Sequence, residues 1–100
     1  MFGSKKKFDA LDPPPAALSE GGQEVLRAVI VNQGLHVSLR RSFDEPGTWG
    51  IMLADIARHA SRIYASETEL SEDQALDQIR SLFNAELDRP TDLGTTSARN

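Results

Sequence analysis

The chain has 100 residues, of which 39% are hydrophobic and 26% are charged, so it is long enough for one small domain and too short for two. The absence of cysteine excludes disulfides, thiol nucleophiles and Cys-ligated metal centres. The net charge of −4 argues against a broad phosphate-binding surface, so nucleic acid is not an expected partner. No apolar run approaches the roughly 18–20 residues of a membrane helix, and no apolar segment follows the basic N-terminus. We expect a cytoplasmic protein without a membrane span.

The first 23 residues are predicted to form a flexible tail. They contain lysines at 5–7, prolines at 13–15 and glycines at 21–22. Three consecutive prolines favour polyproline II and argue against a helix, and the paired glycines supply a flexible joint. Two alternatives remain open: the tail folds over one face of the domain, or it lies across a partner.

A β-hairpin is predicted after the tail. Residues 24–31 (EVLRAVIV) are short and rich in Val and Ile, which favours a strand, and residues 32–34 (NQG) give a turn signal. Residues 35–41 (LHVSLRR) alternate apolar and polar side chains, which is typical of a half-buried strand. This alternation places Leu35, Val37 and Leu39 on one face, and His36, Ser38 and Arg40 on the other.

The register of the hairpin depends on its loop. A two-residue loop at 33–34 would pair Ile30 with Val37, whereas a three-residue loop with Gly34 in the left-handed region would pair Val29 with Val37. We favour the three-residue loop. In either register the first strand is largely apolar on both faces, with Val25, Val29 and Val31 on one side, and Leu26, Ala28 and Ile30 on the other.

Two amphipathic helices are predicted next. Over residues 47–66, apolar residues recur at steps of three and four, which predicts a helix with one core-facing stripe. Ser71 and Gln74 fit a capping box at the start of a second helix, which Pro90 ends. The sequence thus predicts one folded domain over residues 24–89 and a polar C-terminal tail over 90–100.

The predicted fold is α+β with the order β-β-α-α, a β-hairpin packed by two amphipathic helices. Two helices can cover only one face of a two-stranded hairpin, and such a hairpin is marginally stable by itself. We therefore expect a homodimer, in which a second copy extends or covers the sheet, with another protein as the alternative partner. The expected interface residues are Val25, Val29, Val31, His36 and Trp49.

Residues 43–50 (FDEPGTWG) join the second strand to the first helix and form the most unusual local stretch. An acidic residue before Pro46 is typical of a helix start. Trp49 is predicted either to anchor the core or to serve as a hot spot at a partner interface.

No catalytic motif is present, so we expect neither enzyme activity nor a cofactor or metal site. His36 and Ser38 lie on one strand face without an acid to orient the histidine. Asp55 and His59 are four residues apart on a helix, but the chain has only two histidines and no metal-ligand spacing. A small anion-binding patch is the alternative, because arginine guanidinium groups suit phosphate or carboxylate. Such a patch would form where Arg40, Arg41, Arg58 and Arg62 converge, and the residues expected to bind the ligand are Arg40, Arg58, His59 and Arg62.

The segments EVLRAVIV, GLHVSLRRSF, DEPGTWGIMLADIARHASRIYA and IRSLFNAEL, with the Lys-rich start and the Pro-rich linker, resemble a small uncharacterised domain family of proteobacteria of about 100 residues. That family has no assigned activity, so the resemblance implies no catalytic or binding residues. The sequence therefore predicts a small, non-catalytic, homodimeric protein-interaction or accessory module. The alternative is a protein that binds a small ligand or anion.

Overall fold

The computed structural model describes residues 7–91 and 94–99, so the first six residues of the predicted tail lie outside the described residues. The elements in chain order are α1 (Pro15–Glu20), β1 (Leu26–Val31), β2 (Gly34–Arg40), α2 (Gly47–Glu67), α3 (Glu72–Asp88) and β3 (Thr95–Arg99). The strands form one sheet in the order β1-β2-β3. The predicted α+β class is confirmed, as is the order of two strands followed by two long helices.

The hairpin register differs from both registers weighed from the sequence. Ala28 pairs with Val37, and Val31 pairs with Gly34, so the loop consists of Asn32 and Gln33. Both loop residues have positive φ, 50° and 70°, as in the mirror-image turns whose twist matches that of the flanking strands. The favoured three-residue loop is therefore wrong, because Gly34 lies inside β2 and the left-handed residues are the two before it.

This register sorts the side chains of the hairpin by polarity. Directly opposed residues share a face, so one face carries only apolar residues from β1 and β2. We call it the apolar sheet face, made of Leu26, Ala28, Ile30, Leu35, Val37 and Leu39. The opposite face is mixed and carries Arg27, Val29, Val31, His36, Ser38 and Arg40.

A third strand, β3, lies beside β2 and runs parallel to it, with His36 opposite Thr95 and Leu39 opposite Ala98. The sequence predicted only a polar tail in this region, and that description misses the strand. The polarity of residues 95–98 obscured it, because their hydroxyl and methyl side chains give no apolar alternation. An edge strand can be polar, since it has one neighbour and its outer side faces water.

The N-terminal segment contains a short helix, α1, which corrects the expectation that the prolines prevent one. Pro14 is extended, with φ −59° and ψ 145°, and Pro15 occupies the first helical position. A proline is tolerated there because the N–H group that it lacks would have no partner inside the helix. The helix ends at Glu20 and is followed by Gly21, whose φ is 79°.

Helices α2 and α3 pack against each other. Helix α3 begins at the predicted capping box: the Ser71 hydroxyl accepts from the Gln74 N–H, and the Gln74 side chain accepts from the Ser71 N–H. The most deeply buried residues in the described part of the chain are Ser61 of α2, 0% exposed, and Ala75 of α3, 3% exposed. Small side chains therefore occupy the most buried positions of this helix pair.

The backbones of α2 and α3 do not approach the sheet as closely as they approach each other. In the described part of the chain, no Cα atom of a strand lies within 8 Å of a Cα atom of α2 or α3. The Cα radius of gyration is 16.2 Å, whereas about 13 Å is typical of a compact domain of this length. None of the helices in the described part of the chain combines the length and the apolar composition that a membrane span requires.

Candidate functional site

The junction between β2 and α2 is held by one backbone carbonyl. The carbonyl oxygen of Arg41 accepts a hydrogen bond from Trp49 Nε1 at 3.0 Å and another from the N–H of Phe43. The second bond closes a three-residue turn around Ser42, whose φ is 54°. Such a turn is rare and strained for a residue with a β-carbon. The Phe43 and Trp49 rings meet edge to face, with centroids 5.6 Å apart.

These contacts show how Trp49 connects α2 to the preceding strand. Its indole is half-buried and ties the start of α2 to the end of β2 through both a hydrogen bond and a ring contact. This supports the anchor interpretation of Trp49. Whether it also contacts a partner stays a prediction.

A shallow cleft of about 290 Å³ opens beside this junction, lined by Gln23, Arg40, Arg41, Ser42, Phe43 and Asp44. The Arg40 Nε donates to the carbonyl oxygen of Glu24 at 2.9 Å, which fixes that guanidinium against the chain. The Arg41 guanidinium has no hydrogen-bond or ion-pair partner among the described residues. The cleft therefore offers one fixed and one unengaged guanidinium, with the Asp44 carboxylate nearby.

The four predicted anion-binding residues do not share this cleft. Arg40 lines it, whereas Arg58, His59 and Arg62 belong to α2 and are absent from its lining. Arg62 lies 3.4 Å from His59 Nδ1 and 3.7 Å from a Glu72 carboxylate oxygen. The structure thus brings His59 and Arg62 together with an acid on the helices. It places Arg41, one of the arginines expected to converge, beside Arg40 in the cleft.

The two histidines have polar contacts but no carboxylate partner in the described part of the chain. His36 Nδ1 hydrogen-bonds the Thr95 hydroxyl and so links β2 to β3. His59 contacts Arg62 and not Asp55, the residue four positions earlier that was considered as its acid. The described residues also hold no group of three His, Asp or Glu side chains that could bind a metal.

Large apolar side chains remain exposed on both the sheet and the helices. On the apolar sheet face, Ile30 is 69% exposed and Leu35 is 44% exposed. The helices expose a second set, here called the apolar helix surface, which consists of Leu53, Ile56 and Ile63 of α2, and Leu82, Phe83 and Leu87 of α3. A folded chain ordinarily buries such residues, so both surfaces are candidates for contact with a partner.

The predicted interface residues of the hairpin lie on the mixed face. Val29 is directly opposite His36, and Val31 and Val25, the residue just before β1, lie on the same side of the hairpin. Part of this face is contacted by the N-terminal segment, because the Arg27 guanidinium lies 5.4 Å from the centre of the Phe8 ring. Arg27 also forms an ion pair with Glu24 at 3.0 Å.

The pKa of Glu86, near the end of α3, lies below its ordinary value. The main cause is the Thr91 hydroxyl, which donates to the carboxylate at 2.6 Å, and the second is the Thr91 N–H, at 2.8 Å. Hydrogen bonds to the ionised form stabilise it. This contact holds the chain just after α3.

Comparison with known proteins shows the family. The model of the family described as "Domain of unknown function (DUF5076)" matches residues 10–91. The chain belongs to this family. The matched region starts well before the predicted domain boundary at residue 24, so it includes α1 and all three prolines at 13–15.

A solved structure is also similar to the chain. It is described as a "putative pyruvate dehydrogenase" from the photosynthetic bacterium Rhodopseudomonas palustrus CGA009. The two chains are 44% identical, the similarity covers 100% of each, and the TM-score is 0.68. Among curated proteins, none matches this chain.

Proposed function

We propose that this member of the family is a homodimeric protein-interaction module, in which each copy covers apolar surface of the other. The observation that carries the proposal is the presence of two apolar surfaces, on the sheet and on the helices, whose large side chains remain exposed and whose backbones lie more than 8 Å apart among the described residues. A sheet face and an amphipathic helix pair each need an apolar layer to pack against. One chain therefore carries both halves of an interface that two copies could complete.

The exposed area of one chain is large enough for an interface with a second copy. The accessible surface is 8881 Å², whereas a compact chain of 11.0 kDa would expose about 5600 Å². The extended N-terminal segment contributes to the excess of roughly 3000 Å². An obligate dimer buries roughly 1000–2500 Å² of each copy, so this excess is large enough to supply a dimer interface.

A second copy suits these surfaces better than an unrelated partner. An apolar sheet face and an apolar helix surface can pack against each other, and every copy of the chain carries both. Contact between the sheet of one copy and the helices of the next becomes reciprocal in a two-fold dimer. Both surfaces are then covered without leaving one free to propagate the assembly.

The test is the solution mass of the full chain, measured by light scattering over a range of concentrations, for two substitutions in the hairpin. Ile30→Lys places a charge on the apolar sheet face, and Ser38→Lys places it on the mixed face at an exposed position of β2. We expect the wild type and Ser38→Lys to be dimeric and Ile30→Lys to be monomeric with unchanged secondary structure. A wild-type monomer at every concentration would contradict the proposal.

The name of the solved relative raises an enzymatic alternative. Oxidative decarboxylation of pyruvate requires a cofactor that stabilises a carbanion, such as thiamine diphosphate. We infer that this chain is not itself such a catalyst; supporting this, the clefts are shallow and open, and neither histidine contacts a carboxylate among the described residues. Turnover of pyruvate by the purified chain with thiamine diphosphate, Mg²⁺ and an electron acceptor would overturn the inference.

Binding of a small carboxylate or phosphate is the second candidate function. It is favoured by the cleft that holds Arg40 and the unengaged Arg41. We expect pyruvate or inorganic phosphate to shift the backbone NMR signals of residues 40–44, and Arg41→Ala to remove those shifts. The Arg58→Ala variant serves as the control for the loss of one arginine elsewhere. Shifts centred on Arg58, His59 and Arg62 would instead favour anion binding by these three residues of α2.

A further inference from the structure

The free edge of β1 is suited to pairing with another strand. Within the described residues β1 has a strand neighbour on one side only, β2. The edge contains no proline, its hairpin pairing is continuous without a bulge, and Arg27 is its one charged residue. An edge of this composition is a ready template for a further strand, and folded proteins ordinarily cover or block it.

The hydrogen bonds of the hairpin define which backbone groups face that edge. The Arg40 N–H donates to the Val25 carbonyl at 3.0 Å, so Val25 and Arg40 form a hydrogen-bonded pair. Hydrogen-bonded pairs alternate along an antiparallel ladder. The residues of β1 between the bonded positions therefore direct their N–H and C=O groups away from β2, and they are Leu26, Ala28 and Ile30.

We propose that the homodimer forms through this edge, with β1 of each copy antiparallel to β1 of the other and the two-fold axis passing beside Ala28. The inference rests on the proposed self-association and names the surface that carries it. Ala28 then lies opposite Ala28 of the partner subunit, and Leu26 lies opposite the partner's Ile30. Two three-stranded sheets become one sheet of six strands.

The choice of Ala28 as the centre follows from the pattern of free backbone groups. The outward-facing residues Leu26, Ala28 and Ile30 are symmetric about Ala28, so every one of them meets a bonding partner in this register. A centre at Arg27 would place two guanidinium groups directly opposite each other, which is destabilising. A centre at Val29 would place Leu26 opposite the turn residue Asn32, whose φ of 50° is not that of a strand.

The same register keeps like faces together. Leu26 and the partner's Ile30 both belong to the apolar sheet face, so the apolar faces of the two copies join on one side of the sheet. On the mixed face, Arg27 lies opposite the partner's Val29, and Val25 lies opposite the partner's Val31. The three valines expected at an interface from the sequence thus take part, and the helices of both copies are available to cover the joined apolar face.

A proline substitution tests the edge directly. The Ala28 N–H is directed away from β2, so Ala28→Pro removes no hydrogen bond within the hairpin, but it removes both central hydrogen bonds of the proposed dimer. We expect a roughly 10- to 100-fold higher dissociation constant by light scattering or analytical ultracentrifugation. Ala28→Val retains the N–H group and serves as the matched control, with the dissociation constant expected within about threefold of the wild type.

The outcomes separate this inference from the proposed function. A wild-type dimer that Ala28→Pro leaves unchanged would overturn the β1 edge and leave self-association standing. A wild-type monomer would overturn both. Circular dichroism of Ala28→Pro, compared with that of the wild type, distinguishes loss of the dimer from loss of the fold.

Disulfide trapping tests the register even if the proline variant does not fold. The chain has no cysteine, so Arg27→Cys and Val29→Cys each introduce a single thiol. In the proposed register these positions face each other across the two-fold with Cα atoms about 4.5 Å apart, within disulfide range. An equal mixture of the two variants is allowed to exchange subunits before oxidation. The mixed disulfide should form at least about fivefold faster than the disulfide between two copies of either variant alone. The reason is that identical positions are offset by two residues in this register, about 7–8 Å. Equal rates would overturn the register.

Discussion

Gly94 lies so close to Leu35 that a β-carbon on Gly94 would overlap the Leu35 carbonyl oxygen. Gly94 also has a φ of 64°, a region that L-residues with a side chain adopt at a cost. Both features occur immediately before β3, where the chain arrives beside β2. This one glycine therefore permits the polar C-terminal strand to join the sheet.

Replacement of Gly94 should release β3 from the sheet. We expect Gly94→Ala to increase hydrogen exchange at Leu35, Val37 and Leu39, whose N–H groups face β3, and to leave the β1–β2 hydrogen bonds protected. Gly50→Ala is the control, because a β-carbon there meets no atom within 4 Å and Gly50 lies inside α2. That change should stabilise the protein by about 0.5–1 kcal/mol. Unchanged exchange in Gly94→Ala would contradict the assigned position of β3.

The indole N–H of Trp49 should contribute measurably to stability. Trp49→Phe keeps an aromatic ring near Phe43 but removes the hydrogen bond to Arg41, and we expect a loss of about 1 kcal/mol in the free energy of unfolding. Trp49→Ala also removes the ring contact and should cost more. Chemical denaturation at one fixed protein concentration measures both. Equal losses for the two variants would show that the ring itself contributes little.

The capping box at the start of α3 gives a prediction with a clear ranking. Ser71→Ala removes the acceptor for the Gln74 N–H and should destabilise the protein by about 1 kcal/mol. Ser71→Asp retains an acceptor and places a negative charge at the positive end of the helix, so it should preserve stability near neutral pH. Thermal unfolding followed by circular dichroism compares the two. A smaller loss for alanine than for aspartate would contradict the capping role.

The contact between Glu86 and Thr91 predicts a pH dependence. Thr91→Val removes the hydroxyl, the larger cause of the lowered pKa, so we expect the pKa of Glu86 to rise toward its ordinary value. NMR titration of the Glu86 carboxyl carbon measures this shift. The N–H of residue 91 remains in the variant, so the pKa should stay slightly below that value.

The sign of the stability effect follows from the direction of the shift. A carboxyl group with a lowered pKa in the folded state stabilises the protein above its unfolded-state pKa, and this contribution is lost as the pH falls through the folded-state pKa. Wild type and Thr91→Val should differ in their free energy of unfolding, and part of that difference comes from Glu86. This part should be present at pH 7 and absent in strong acid. Persistence of that part below the folded-state pKa would contradict the assignment.

The candidate site was partly visible in the sequence. Arg40 and Trp49 were identified from their residue types and from the unusual stretch between strand and helix, and both contribute to the junction. The sequence also predicts that Arg40 and Arg41 converge, and both line the cleft, whereas Arg58 and Arg62, expected to join them, lie on α2 outside it. The His36–Thr95 contact joins residues 59 positions apart, and it follows from β3, which the sequence did not predict.

The sequence by itself determined the elements whose signals are local: the helix starting near Pro46, the capping box at Ser71, and two apolar-rich strands joined by a turn. Periodicity and capping act over a few residues, so one sequence suffices to recognise them. Only the tertiary structure decided the hairpin register, the joining of β3 and the separation of the helices from the sheet. These depend on the φ values of Asn32 and Gln33, on the close approach at Gly94, and on which apolar surfaces meet within one chain. Such relationships join distant residues, or turn on small energy differences between similar local conformations, and composition alone does not encode them.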